Sequence, residues 1–130
     1  MARQIKELIF QDCPIRNILS RICGKWQLVI IYTLKNSGNT RFSTLLKKIP
    51  DISSKVLISS LRSLEADGLV SRKIYPEVPP KVEYMLTPRA MTFIPVFENL
   101  VNWSLDNMTG IMKDRAEYEK LNRDIQKIVN

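Results

Sequence analysis

The stretch from Ile52 to Leu86 constrains the fold most strongly, because its two halves follow different periods. Residues 54–66 place apolar side chains at helical spacing, and Ser53 is suited to cap the helix. Asp67-Gly68 is a helix stop, since glycine readily adopts the left-handed conformation that ends helices. Residues 70–75 and 81–86 have the composition of two short strands. The stretch therefore predicts a helix followed directly by a β-hairpin.

The outer face of this helix is polar and cationic, with no carboxylate before its last turn. A face kept only for solubility usually mixes both charge signs. Hydroxyls and long cations suit base edges and phosphates in a DNA major groove. On the helix alone, DNA contact and plain solvent exposure are equally good interpretations. The candidate DNA-binding residues here are Ser53, Ser54, Lys55, Ile58, Ser59 and Arg62.

The hairpin favours DNA contact. Its tip contains three prolines within residues 76–80, which stiffen the chain and resist edge pairing. Arg72, Lys73 and Lys81 flank that tip and join the candidate DNA-binding residues. Residues 41–49 predict a preceding helix joined by a short turn at residues 50–52, and Arg41 is a candidate phosphate contact. The predicted fold is mainly α with a small β-hairpin wing, a winged helix-turn-helix with flanking dimerisation helices.

Several motifs resemble the HxlR family of bacterial transcription regulators. The resemblance covers about Cys13 to Trp103, and the long YPEVPPKVEY segment is its most specific part. It implies a winged helix-turn-helix that binds DNA. At residue 90 the chain has alanine where the family commonly has glycine, which we expect to be a local change. The other matching segments are Cys13-Pro14, Gly24-Lys25-Trp26, Arg41-Phe42, Leu64 to Val70 and Leu86-Thr87.

The charge distribution points to the same part of the chain. The formal net charge is +7, and residues 13–89 alone carry 13 Lys and Arg against 5 Asp and Glu. Such an excess indicates a polyanionic partner. We predict a single domain, with an arm at residues 1–12, a DNA-binding core at 13–87 and dimerisation helices at 88–130. Neither a signal peptide nor a membrane span is predicted, so the expected location is cytoplasmic, with no membrane partner.

Both ends of the chain predict a homodimer. The helix expected at residues 88–108 is apolar on more than one face, which a small domain cannot cover. A second helix, expected at 111–129 after a break at Thr109-Gly110, carries a narrow apolar seam. The alternative is a solvated tail helix that covers its own core. The predicted interface residues are Ile5, Leu8, Ile9, Phe93, Phe97, Leu100, Val101, Tyr118, Leu121 and Ile125.

Catalytic, metal and cofactor sites find no support in the composition. The chain has no histidine and only 2 cysteines, which form no zinc motif of known spacing. The 4 glycines are scattered and build no phosphate-binding loop. We therefore predict a non-enzyme without cofactor or metal. The alternatives are a winged-helix protein–protein adaptor and, much less favoured, a thiol-dependent enzyme or an RNA-binding protein.

Cys13 is the candidate sensor. It precedes Pro14 at the start of a predicted helix and lies near Arg16 and Arg21, features that favour a reactive thiolate. The HxlR resemblance implies the same role, because a cysteine at this position is linked to sensing of oxidants or electrophiles in several members. A half-buried structural cysteine is the equally good alternative. Cys23 is expected to be buried and inert.

Together these features predict a dimeric, sequence-specific transcription regulator of double-stranded DNA. Its two recognition helices would enter successive major grooves of a pseudo-palindromic operator, with half-sites roughly 34 Å apart. We expect a repressor that is released by a thiol-reactive or small-molecule signal.

Overall fold

The computed structural model describes residues 13–130. The predicted N-terminal arm, with the interface residues Ile5, Leu8 and Ile9, lies outside the described residues. The chain forms two compact units, the first ending at Met91 and the second comprising Thr92–Asn130. Each unit is described separately below.

Within residues 13–87, the first unit contains four α-helices. A π-helical stretch (Ile15–Leu19) leads into the short helix α1 (Ser20–Ile22), as expected for the predicted helix that follows Cys13. Helix α2 (Lys25–Ser37) contains the apolar run around Ile30. Helices α3 (Phe42–Lys48) and α4 (Ser54–Ala66) are the two helices of the predicted helix-turn-helix.

A three-stranded antiparallel sheet completes the first unit. Strands β2 (Val70–Tyr75) and β3 (Lys81–Leu86) form the hairpin with the bounds that the sequence predicted. A third strand, β1 (Thr40–Arg41), was not predicted and pairs with β3, so that Arg41 lies opposite Glu83. The predicted winged helix-turn-helix is confirmed, with a three-stranded wing instead of a two-stranded one.

The core of the first unit is aliphatic. The inner face of α4 is fully buried at Leu57, Leu61 and Leu64, as its helical spacing predicted. Burying such a side chain stabilises a fold by roughly 1.5–3 kcal/mol, so these residues anchor α4 against its neighbours. The buried partners from α2 and α3 are Ile30, Ile31, Leu34 and Leu45. Trp26 is only partly buried, and Lys25 Nζ lies 4.8 Å from the centroid of its ring.

Both ends of α4 are held by specific hydrogen bonds. Ser53 caps the start, since its Oγ accepts a hydrogen bond of 3.1 Å from the Val56 amide. At the far end Gly68 has φ 73°, a left-handed conformation that suits glycine. The Gly68 amide donates to the Glu65 carbonyl and the Leu69 amide to the Leu64 carbonyl, which is the Schellman arrangement. The hairpin therefore leaves α4 in a defined direction.

Helix α5 (Pro88–Val129) starts in the first unit and forms the whole described second unit apart from the last residue. Thr87 caps it, because its Oγ1 accepts a hydrogen bond of 3.3 Å from the Ala90 amide. The break predicted at Thr109-Gly110 is wrong: the helix is continuous through both residues. One glycine within a helix costs only about 1 kcal/mol, which is too little to interrupt a helix of 42 residues. Pro95 lies inside the helix, as predicted.

Among the described residues, no helix combines the length and the apolar content that a membrane crossing requires.

Candidate nucleic-acid interface

The outer face of α4 carries the main group of candidate DNA-binding residues. Ser54, Lys55, Ile58, Ser59 and Arg62 are all exposed and follow one face at helical spacing. Among residues 13–130, no carboxylate forms an ion pair with Lys55 or Arg62. Both cations are therefore available to an anionic partner.

Ser53, also predicted to contact DNA, has a structural role at the start of this face. Its hydroxyl oxygen already accepts the capping hydrogen bond from Val56. The hydroxyl proton can still be donated, and the side chain is exposed. A contact from Ser53 to a phosphate is compatible with its role as the cap.

The cations of the wing lie on opposite faces of the hairpin. Neighbouring residues of a strand point to opposite sides of a sheet, so Arg72 and Lys73 diverge although they are adjacent in sequence. Arg72 shares the face of the hairpin that borders α4. Lys73 shares the other face with Lys81 and with Arg41 of β1, since both lie at matching positions in the strand register. The sequence had grouped Arg72, Lys73 and Lys81 as one flank of the wing.

On the first face, Arg72 approaches the end of α4. Its Nε lies 3.6 Å from Oε1 of Glu65, an exposed pairing that places the guanidinium next to α4. A recess of about 280 Å³ opens between α3, α4 and the hairpin at this point. Arg62 and Arg72 line this recess together with Glu65, while the apolar part of its lining comes from Phe42, Ile58, Val82 and Tyr84.

On the second face, Tyr75 organises the charges. Lys73 Nζ and Lys81 Nζ lie 4.9 and 4.8 Å from the centroid of its ring, as cation–π contacts. The Tyr75 hydroxyl donates a hydrogen bond of 3.1 Å to Glu83 Oε2. Lys81 Nζ lies 3.0 Å from Glu83 Oε1. The charge of Lys81 is thus already balanced within the wing, whereas Lys73 has no such carboxylate among the described residues.

The same contacts lower the pKa of Glu83 from its ordinary value. The hydrogen bond from Lys81 is the largest cause, and the hydrogen bond from Tyr75 and the charges of Lys81 and Arg41 act in the same direction. Desolvation opposes them. A lowered pKa keeps the carboxylate ionised to lower pH than that of an ordinary glutamate, so the pairing with Lys81 is lost only as the pH falls through the lowered pKa.

Four of the seven α5 residues predicted for the dimer interface are exposed in the single chain. Every residue from Met108 to Asn130 is exposed in the single chain. Exposure is 46% at Leu100, 63% at Tyr118, 57% at Leu121 and 47% at Ile125, whereas Phe93 and Val101 are partly buried. Phe97 is the exception, because only 6% of it is exposed. It can contribute little further area to a partner, and we remove it from the predicted interface.

The two cysteines differ from the prediction. Cys13 is fully buried, at 0% exposure, and its carbonyl accepts a hydrogen bond from the Asn17 amide. Cys23, expected to be buried, is exposed. It is the C-cap residue of α1 and stands where the chain turns into α2, so its side chain is not enclosed by either helix. Neither cysteine forms a disulfide.

Comparison with known proteins decides the family. The family model for the HxlR-like helix-turn-helix matches residues 21–112. The chain belongs to this family. An uncharacterized HTH-type transcriptional regulator of Halalkalibacterium halodurans is 52% identical over 100 residues, which cover 77% of this chain and 88% of that protein. The HxlR resemblance in the sequence is thus confirmed, and the protein is a helix-turn-helix transcription regulator.

Solved structures agree with this assignment. A transcriptional regulator YtfH from Salmonella typhimurium has a TM-score of 0.73 and 36% identity, over 83% of this chain and 96% of that one. The redox regulator HypR in its reduced form has a TM-score of 0.71 and 36% identity, over 77% and 98% of the two chains. The HxlR-like chain therefore shares the winged-helix fold of both regulators.

Sequence reasoning missed three residues that shape this surface. Glu65 pairs with Arg72, and Tyr75 and Glu83 arrange Lys73 and Lys81. The signal for the last two was present, because Lys73, Tyr75, Lys81 and Glu83 alternate along the two strands and must share one face. Nothing in the sequence marked Glu65, since its partner depends on the direction in which the hairpin leaves α4.

Proposed function

We propose that this HxlR-like protein is a homodimeric, sequence-specific DNA-binding repressor that a thiol-reactive or small-molecule signal releases from its operator. The observation that carries the proposal is the outer face of α4, where Lys55 and Arg62 have no acidic partner among the described residues. Unpaired cations beside exposed hydroxyls suit DNA, because the phosphates attract positive charge and the base edges form hydrogen bonds with polar side chains.

The two faces of the hairpin would support α4 in different ways. Arg72, which Glu65 holds near the end of α4, would contact the backbone that borders the same groove. Lys73 and Arg41 would contact the flanking backbone from the other face of the wing. In this arrangement α4 supplies sequence discrimination, and the wing supplies mainly register and affinity.

Dimerisation is supported by the exposed apolar residues of α5. Most of the stability of a helix in a protein comes from packing of its apolar face, and Tyr118, Leu121 and Ile125 leave an apolar seam uncovered in the single chain. Pairing with a second copy would cover the seam. Two recognition helices would then meet a pseudo-palindromic operator with half-sites roughly 34 Å apart.

The direct test is selection of bound duplexes from a randomised DNA library, with the purified full-length protein. We expect enrichment of a two-fold symmetric site whose half-sites are spaced by about one helical turn. A protein–protein adaptor on the same scaffold would enrich no sequence. That result, with a folded protein, would overturn the proposal.

The wing predicts an unequal effect of its two lysines on the salt dependence of binding. Lys73→Ala should reduce the slope of log affinity against log salt by about 0.9, the value for one lost phosphate contact. Lys81→Ala should change the slope by clearly less, because Glu83 already balances the charge of Lys81. Titrations of one duplex at several salt concentrations measure both slopes. Equal slopes for the two variants would contradict the assignment of the two lysines.

A thiol signal is supported by the relatives. HypR is a redox regulator, and both its reduced and its oxidised forms resemble this chain. Cys13 remains our proposed sensor, although its burial requires that the surrounding structure opens before a reagent can reach the sulfur. An adduct on a fully buried side chain cannot be accommodated without movement, which would convert modification into a change of conformation.

We therefore predict different rates of alkylation for the two cysteines. Cys23 should react first with a bulky alkylating reagent, because it is exposed, and Cys13 should react slowly. Affinity for DNA should follow the slow reaction. Peptide mass spectrometry and DNA titration on the same time points measure both rates.

Serine variants of the two cysteines show which thiol acts as the sensor. Diamide should lower the affinity of wild type and of Cys23→Ser for DNA, while Cys13→Ser should bind DNA and ignore the reagent. A loss of affinity that follows Cys23 modification, or that persists in Cys13→Ser, would transfer the role away from Cys13.

A further inference from the structure

Ile58 is the one large apolar side chain on the exposed face of α4. It is 39% exposed, and its neighbours at helical spacing are Ser54, Lys55, Ser59 and Arg62, all exposed and all polar or cationic. A single exposed hydrophobic residue usually needs no explanation. The position of Ile58 does need an explanation, because Ile58 occupies the middle of the face that the proposed function brings to DNA.

The surroundings of Ile58 select its partner. A protein partner that covered Ile58 would also cover Lys55 and Arg62, which stand three residues before it and four after it on the same face. No acidic side chain within residues 13–130 pairs with these two cations, so an apolar protein surface would bury unpaired charges at a large cost. A partner for this face must combine negative charge with a small apolar group. A DNA major groove does so, because the 5-methyl group of thymine is the apolar group on its base edges.

One flank of Ile58 is already apolar. The recess of about 280 Å³ beside it is lined in part by Phe42, Val82 and Tyr84. A methyl group placed against Ile58 would therefore be transferred from water to a partly apolar surface. It would not displace a hydrogen-bonding group from that surface. This gives the contact a favourable free energy that depends on the methyl group itself.

We propose that Ile58 makes the recognition helix specific for thymine, by packing against the 5-methyl group of one thymine in each half-site. The proposal rests on the proposed function and adds the base that this residue reads. Side chains four residues apart on a helix have Cβ atoms about 5–6 Å apart, which is on the order of one to two base-pair steps. A guanine read by Arg62 would therefore lie within about two base pairs of this thymine.

The experiment uses the duplex that wild-type protein enriches from the randomised library, with each thymine replaced in turn by deoxyuridine. Deoxyuridine lacks the 5-methyl group and keeps every hydrogen-bonding group. We expect one position per half-site at which the replacement weakens binding of wild type by roughly four-fold, the factor that corresponds to one buried methyl or methylene group. The other thymines should tolerate deoxyuridine.

Two variants assign the effect to Ile58. Ile58→Ala should bind the thymine duplex more weakly, show no further loss with deoxyuridine at that position, and keep the salt slope of wild type because no charge changes. Ile58→Val retains a branched side chain and should stay sensitive to the methyl group. Ile58 is exposed, so both variants should fold, which circular dichroism checks.

The outcomes distinguish failure of the thymine contact from failure of the proposed DNA-binding function. If no duplex is enriched, the DNA-binding function fails and the contact fails with it. If a duplex is enriched and bound, but deoxyuridine is tolerated at every thymine or weakens Ile58→Ala as much as wild type, only the thymine contact is overturned.

Discussion

Leu121→Glu should convert the protein to a folded monomer and weaken operator binding by about 100-fold or more. Leu121 is 57% exposed in the single chain, so the substitution removes little packing within it. In the proposed dimer the same side chain is covered, and an unpaired buried charge costs about 3–5 kcal/mol. A monomer engages one half-site only and loses the gain in affinity that linkage of two sites provides. Sedimentation and DNA titration of the same sample measure both effects.

Ala116→Glu is the matched control. It adds the same charge to the same helix at an exposed residue, roughly 140° around the helix from Leu121. We expect it to remain a dimer and to bind the operator with nearly the affinity of wild type. If Leu121→Glu and Ala116→Glu are both monomers, or are both dimers, the assignment of the seam that contains Leu121 is contradicted.

Arg62→Ala should weaken binding to the selected operator by roughly 1–3 kcal/mol, or about 5- to 150-fold, with a much smaller effect on unrelated duplexes. The reason is geometric, because a guanidinium can donate two hydrogen bonds to the O6 and N7 atoms of one guanine. The ratio of affinities for operator and scrambled duplex, measured at one salt concentration, is the quantity to compare.

Arg62→Lys tests the geometry instead of the charge. Lysine keeps the positive charge but has no planar pair of donors. We expect wild-type affinity for scrambled DNA together with reduced discrimination for the operator. If Arg62→Ala lowers the affinity for operator and scrambled duplex by the same factor, Arg62 contacts phosphate and not a base.

The parts of the fold that the sequence predicted well are those with local causes. Ser53 caps α4 as expected, and the strands over residues 70–75 and 81–86 have the predicted bounds because alternation and the prolines between them leave few other registers. The exposed residues on the outer face of α4 followed from its apolar spacing, since knowing the buried side of a helix determines the exposed one.

The errors have non-local causes. Strand β1 has two residues, Thr40 and Arg41, and exists through its pairing with β3, so no periodicity could reveal it. Gly110 suggested a break, but its cost is small within a long helix. The exposure of Cys23 and the burial of Phe97 depend on how the elements pack, which composition does not encode.

The division of α4 into two faces has a consequence for how this protein family can change over time. The residues that would discriminate between operators are exposed, whereas Leu57, Leu61 and Leu64 on the inner face hold the helix in place. Substitutions on the outer face should therefore alter binding preference with little loss of folding stability. After gene duplication, a copy could acquire a new set of target promoters through a few tolerated mutations while its scaffold stayed intact.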